Sequence, residues 1–85
     1  MMYRLELSRT ARSNMSRLDP SVERRVMAGL RRLAQNCETV RHIALTGPHA
    51  GEFRLRVGDY RALYTIDREN RRIVVESIGH RSEVY

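Results

Sequence analysis

The chain has 85 residues, 41% of them hydrophobic and 31% charged, which suits one domain with a small core and excludes wholesale disorder. Sixteen basic residues, all arginines, against ten acidic ones give a net charge of +6 and favour polyanions as partners. No apolar run could span a membrane and no signal-peptide core is present, so we expect a cytoplasmic protein without a membrane partner.

The first half of the chain predicts a strand and two helices. Residues 2–7 alternate loosely between apolar and charged side chains, as a strand does. Ser8 or Thr10 can cap the helix that follows, and Asp19-Pro20 is typical of a new helix start, with a capping carboxylate before a proline. This second helix ends near Gln35-Asn36. Its apolar stripe consists of Val22, Val26, Leu30 and Leu33.

The second half predicts three strands. Residues 37–51 show no clear period, and the alternation of a strand begins after them, at Glu52. Gly58-Asp59 is typical of a two-residue hairpin turn. After a polar turn at 67–71, the run Ile73-Val74-Val75 indicates a strand in the interior of the sheet. We therefore expect a single α+β domain over residues 1–85, ordered strand-helix-helix-strand-strand-strand, with two N-terminal helices packed on a small, mostly antiparallel sheet.

The predicted hairpin brings like charges together. A turn at 58–59 sets Arg56 opposite Arg61 and Arg54 opposite Leu63, on the face away from the apolar pairs. Like charges directly opposite on a sheet cost about 0.2–1 kcal/mol, so folding alone does not explain them. Three converging guanidinium groups suit a bound anion, with phosphate the obvious candidate. The alternatives are that these side chains splay into water, or that Glu52 or Glu76 neutralises them.

The C-terminal run adds groups that RNA cleavage requires. His80, Arg81 and Tyr85 follow the third predicted strand directly, and we expect them at the end of the same sheet face. Metal-free cleavage needs a base for the 2′-hydroxyl, cations for the phosphorane and a proton for the leaving oxygen. A tyrosine acts as a base only where cations stabilise its phenolate, whereas a histidine gives a proton readily at neutral pH.

Other candidate chemistry is missing from the sequence. Cys37 is the single cysteine, which excludes an intrachain disulfide and a cysteine-based metal cluster. His42 and His49 lie in or near loops without a pattern of partners, so we assign them no function. No metal-ligand spacing, phosphate-binding glycine loop or Ser-His-Asp set is present, and we expect neither a metal nor a cofactor.

Two motifs then carry a resemblance to a known family. The segments GEFRLRVGDYRALY (51–64) and IGHRSEVY (78–85), with LTG at 45–47, resemble the RelE toxins of the RelE/ParE superfamily of toxin–antitoxin modules. The resemblance implies a ribosome-dependent endoribonuclease that cuts mRNA in the A site and leaves a 2′,3′-cyclic phosphate. It also implies a cognate antitoxin that neutralises the toxin, and binding to operator DNA only through the toxin–antitoxin complex.

The resemblance also assigns residues. Arg54 and Arg56 match the family's RNA-binding basic positions, which are often lysines, and Arg61 matches its phosphate-binding arginine. The tail residues that match catalytic positions are His80, Arg81 and Tyr85. Arginine in place of lysine can clamp charge but carries protons poorly, which shifts the role of acid towards His80.

Two other functions remain open at this point. A ParE-like inhibitor of DNA gyrase would share the fold, although that group generally lacks the tail motif of residues 79–81 and Tyr85. A non-catalytic nucleic-acid-binding module would use the basic surface alone, and replacing its arginines would weaken binding additively.

Overall fold

The computed structural model describes residues 2–82 and has the predicted α+β architecture. Its elements are β1 (Arg4–Leu7), α1 (Arg9–Ser16), α2 (Pro20–Gln35), β2 (Ile43–Ala44), a short 3-10 helix (Gly47–His49), β3 (Phe53–Val57), β4 (Tyr60–Asp67) and β5 (Arg72–His80). The five strands form one sheet in the order β1-β5-β4-β3-β2, with β1 parallel to β5 and the other pairs antiparallel.

Both helices begin where the sequence predicts, but only one has a side-chain cap. The Ser8 hydroxyl accepts a hydrogen bond from the Ala11 amide at 3.0 Å at the start of α1. Asp19 occupies the N-cap position of α2 as predicted, but its carboxylate makes no capping hydrogen bond. Pro20 at the first helical position is suited to this start, because it has no amide hydrogen to satisfy.

The core lies between the two helices and one face of the sheet. Val26, Leu30 and Leu33, from the predicted stripe of α2, are buried there. They pack in one cluster with side chains of the central strands, including the fully buried Ile73 and Val75 of β5. The interior position predicted for this strand is confirmed, since β5 lies between β1 and β4. Within residues 2–82, no helix is long and apolar enough to cross a membrane.

Two features of the sheet differ from expectation. The two-residue strand β2 pairs Ile43 with Arg54 at the sheet edge, and it is too short to show a period in the sequence. A β-bulge interrupts the pairing of β4 with β5, since Leu63 pairs with Ser77 and the next residue of β4 pairs with Val75. Glu76 is therefore the extra residue, and every later side chain of β5 changes face.

Candidate functional site

The arginine pair lies on the face of the sheet that no described helix covers. The register of β3 and β4 is the one predicted, with Arg56 opposite Arg61 and Arg54 opposite Leu63. Gly58 permits this tight turn because its φ of +58° lies in the left-handed region. Both helices pack on the other face of the strands. We call the side of the sheet that carries these three arginines the arginine face.

Arg61 has an unusual environment within this face. Its Nε atom is buried and has no hydrogen-bond partner among the described residues 2–82. Its neighbour on β5 is Gly79, which contributes no side chain to that position. A buried polar group without a partner costs about 1–3 kcal/mol, and more when it is charged. An anion with several acceptor oxygens, such as a phosphate, is the ligand that would satisfy this group.

The acidic residues considered as neutralising partners are engaged elsewhere. Glu52 lies 3.8 Å from the His49 ring, and Glu76 accepts a hydrogen bond from the Thr65 hydroxyl at 3.3 Å. In the part of the chain that the structure describes, Arg56 and Arg61 form no ion pair, and Arg56 donates instead to the Gly58 carbonyl at 3.2 Å. The positive charge of this pair is therefore not compensated within residues 2–82.

The start of the C-terminal tail lies beside the hairpin turn. The Arg81 amide donates to the Asp59 carbonyl at 2.8 Å, and the Arg81 guanidinium lies 4.0 Å from the Asp59 carboxylate. Both side chains of this ion pair are more than half exposed. Arg81 is thus at the same end of the sheet as the arginine pair. Tyr85 lies outside the described residues.

His80 lies on the opposite face from the arginine pair, and the expectation that they share a face is wrong. His80 pairs with Tyr60, on the side of the helices, and the two rings meet edge to face at 5.4 Å. The bulge at Glu76 is the physical reason. Uninterrupted alternation from Ile73 would turn His80 towards the arginine face, but the extra residue reverses the orientation.

His42 has partners that the sequence did not reveal. Its Nε2 lies 2.8 Å from the Cys37 carbonyl, which can only accept, so Nε2 carries the proton and Nδ1 accepts from the Tyr64 hydroxyl at 2.6 Å. Burial raises the pKa of Tyr64 to about 12, so its hydroxyl remains a donor at neutral pH. These bonds fasten the segment after α2 to the sheet, which is a structural role.

Within residues 2–82, neither the single cysteine nor a cluster of metal-ligating side chains forms a second reactive centre. The Cys37 thiol is buried, and burial raises its pKa, which makes it a poor nucleophile. Within residues 2–82, no group of three or more His, Cys, Asp or Glu side chains could hold a metal ion. The chemistry that Arg54, Arg56 and Arg61 can supply at the arginine face is charge stabilisation by their guanidinium groups.

Comparison with known proteins connects this geometry to a family. Residues 5–85 match the family model described as ParE toxin of type II toxin–antitoxin system, parDE. The chain is 30% identical over 89 residues to Toxin RelG of Mycobacterium tuberculosis (strain ATCC 25618 / H37Rv), an alignment that covers 100% of this chain and 98% of the relative.

Solved structures resemble the chain over nearly its full length. A chain of the toxin–antitoxin complex RelBE2 from M. tuberculosis has 30% identity and a TM-score of 0.86, covering 98% of this chain and 95% of that one. The archaeal RelE–RelB complex from Pyrococcus horikoshii OT3 contains a chain with the same fold at 21% identity and a TM-score of 0.75, covering 99% and 100%. The isolated RelE toxin of E. coli also shares the fold, at 19% identity and a TM-score of 0.73, covering 92% and 83%.

Proposed function

The chain belongs to the RelE/ParE superfamily of toxins from type II toxin–antitoxin modules, and from this premise we propose that it is an endoribonuclease that cuts mRNA in the ribosomal A site. The observation that carries the proposal is the pair Arg56 and Arg61, which no acidic side chain within residues 2–82 compensates, on the sheet face that no described helix covers. A charge pair that opposes folding is maintained at a position where a phosphate would make it favourable.

The arginines stabilise the charge that develops during cleavage. The 2′-oxygen attacks the adjacent phosphorus, the bond from phosphorus to the 5′-oxygen breaks, and the products are a 2′,3′-cyclic phosphate and a 5′-hydroxyl. The pentacoordinate intermediate carries extra negative charge on its phosphoryl oxygens. Arg61 and Arg56 bind these oxygens, Arg54 holds the flanking backbone, and Arg81 adds a fourth cation from the tail.

Two proton transfers complete the reaction. Tyr85 is our candidate for the base that takes the proton of the 2′-hydroxyl, a role that requires cations to stabilise its phenolate. His80 is our candidate for the acid that protonates the 5′-oxygen. Because His80 faces the helices, the RNA must cross the end of β5 at Gly79 for this transfer to occur.

The proposed partners follow from the family and from the charge. The structural relatives from M. tuberculosis and P. horikoshii are complexes of toxin and antitoxin, and we propose a cognate antitoxin for this chain as well. We expect operator DNA to bind only through that complex. The net charge of +6 suits association with ribosomal RNA around the A site.

The decisive experiment is primer extension on mRNA in a purified translation system. Wild-type protein should cut within the A-site codon, and only when ribosomes are present. Arg61→Ala should lower the cleavage rate about 10²–10³-fold, the usual cost of losing one transition-state contact. The matched control is Arg31→Ala, an exposed arginine on α2, which should cut at the wild-type rate. Equal rates for wild type and Arg61→Ala would contradict the proposed site.

A second candidate function is inhibition of DNA gyrase, because the family model that matches the chain is that of the ParE toxins. It predicts intact mRNA and loss of supercoiling in a gyrase assay. A plain nucleic-acid-binding module would give neither result, and its affinity would fall by similar amounts for each arginine removed.

A further inference from the structure

A concave site lies on the helix side of the sheet, behind the arginine face. It is a cleft of about 260 Å³ between the C-terminal end of α1 and the adjoining ends of β4 and β5. The side chains that line it include Asn14, Arg17, Leu18, Tyr60 and His80. The proposed catalytic scheme uses only His80 of this set.

The wall of the cleft is aromatic and well supported. The rings of Tyr60 and His80 meet at 86°, so they form a corner against which a flat group can pack. Asn14 joins the opposite side to the sheet, because its side-chain carbonyl accepts a hydrogen bond from the Ile78 amide at 2.9 Å. Unstacked RNA bases commonly pack on tyrosine and histidine rings.

The charge at the rim also suits a nucleotide. Arg17 is exposed and forms no ion pair with any residue in the range 2–82. Among residues 2–82, no acidic side chain lines the cleft. A cation at this position also stabilises the C-terminal end of α1, so an experiment must separate that structural effect from binding.

The position of the cleft relates it to the arginine face. Gly79 pairs with Arg61 on one side of the sheet, and the next residue, His80, pairs with Tyr60 on the other. The two sites are therefore back to back at the hairpin end of the sheet, one residue apart along β5. An RNA strand with its phosphate at Arg61 could place its next nucleotide in the cleft only by bending around this end.

We propose that the cleft binds a single unstacked nucleotide of the RNA, with the base against Tyr60 and His80 and a phosphate on Arg17. This inference rests on the proposed function in one respect, that the nucleotide is a neighbour of the one being cut. It names a specificity site separate from the charge clamp. Base stacking on an aromatic side chain tolerates different bases, so the preference is expected to be graded.

The first test is titration of the isolated protein with 5′-AMP, 5′-CMP, 5′-GMP and 5′-UMP, observed in the aromatic NMR signals of Tyr60 and His80. At least one nucleotide should shift both sets of signals and saturate. Arg17→Gln should weaken this binding at least about fivefold, the effect of losing one charge-assisted contact. Arg12→Gln, which replaces an exposed arginine of α1 itself, should leave nucleotide binding unchanged.

Controls separate binding from folding and from simple anion binding. Circular dichroism and thermal unfolding of Arg17→Gln show whether the α1 terminus is intact, and weaker binding by a fully folded variant supports the proposal. Inorganic phosphate and adenosine are titrated in parallel. Absence of saturable shifts overturns the proposal. Shifts by phosphate that equal those by the nucleotides, with none by adenosine, also overturn it in favour of an anion site.

A cleavage arm distinguishes failure of the cleft from failure of the proposed function. On mRNAs that differ only in the base after the cut, Arg17→Gln should reduce the spread of cleavage rates among these mRNAs. Arg61→Ala should instead lower all of these rates about 10²–10³-fold and keep nucleotide binding. If wild type cuts RNA and no nucleotide binds the cleft, the cleft proposal fails alone. If nucleotides bind and wild type cuts no RNA, the proposed function fails alone.

Discussion

The two faces of the sheet use the same strands for opposite purposes. Towards the helices, Ala62 and Tyr64 of β4 are each 1% exposed and join the core cluster. Towards the other side, Arg61 of the same strand is set against Arg56 without a compensating acid in residues 2–82. One face therefore carries the hydrophobic core cluster, and the other holds a pair of like charges that opposes folding. Four experiments test this contrast.

The largest effect should follow from damage to the helix side. Leu30→Ala removes a fully buried side chain of α2 and should lower the free energy of unfolding by about 2–5 kcal/mol, since it leaves a cavity. Chemical denaturation measures the change. The neighbouring exposed Arg31→Ala should stay within about 0.5 kcal/mol of wild type. A similar loss in both variants would contradict the division between the faces.

A substitution beside the arginine face should have a large effect on RNA cleavage and little effect on the free energy of unfolding. Arg81→Ala should lower the RNA cleavage rate about 10²–10³-fold through loss of a transition-state cation. Its exposed pair with Asp59 is worth at most about 1 kcal/mol, so unfolding should barely change. Arg68→Ala, which removes the exposed pair with Glu38, is the control for a lost surface charge. Unchanged cleavage by Arg81→Ala would remove this residue from the site.

A pH-dependent effect should distinguish the packed face from the exposed one. The pKa of Tyr64 is raised from 10.0 to about 12 by burial, so above pH 10 the unfolded chain loses this proton first. Stability should then fall between pH 10 and 12, and fall less steeply in Tyr64→Phe. At neutral pH the variant should lose about 1 kcal/mol, because His42 loses its hydrogen-bond donor. If the free energy of unfolding falls equally in wild type and in Tyr64→Phe between pH 10 and 12, the raised pKa of Tyr64 is contradicted.

The smallest expected effect is also the sharpest test of the arginine face. Arg56→Glu turns the repulsive pair with Arg61 into an attractive one and should raise stability by about 0.2–1 kcal/mol. RNA cleavage should fall in the same variant, because the site gains a negative charge where phosphate binds. Arg56→Gln, which only removes the charge, should lie between wild type and Arg56→Glu in stability. If Arg56→Glu is no more stable than Arg56→Gln, the two side chains do not interact.

Much of the fold could be predicted because its signals are local. The stripe of α2, the cap at Ser8 and the turn at Gly58-Asp59 each depend on a few neighbouring residues. A two-residue turn also determines register, which is why the pairing of Arg56 with Arg61 was predicted correctly. Strand β2 was not predicted, because a strand of two residues is too short to show an alternating pattern.

What only the tertiary structure decided depends on contacts between distant segments. The bulge at Glu76 arises where β5 pairs with β4, and it alone turns His80 away from the arginine face. The hydrogen bond between His42 and Tyr64 joins the segment after α2 to the sheet, and these two residues are 22 positions apart in the sequence. The sequence by itself therefore determined which residues carry charge and which strands pair through the hairpin. The face that His80 occupies follows from register across the sheet, a property of the assembled strands that no local pattern contains.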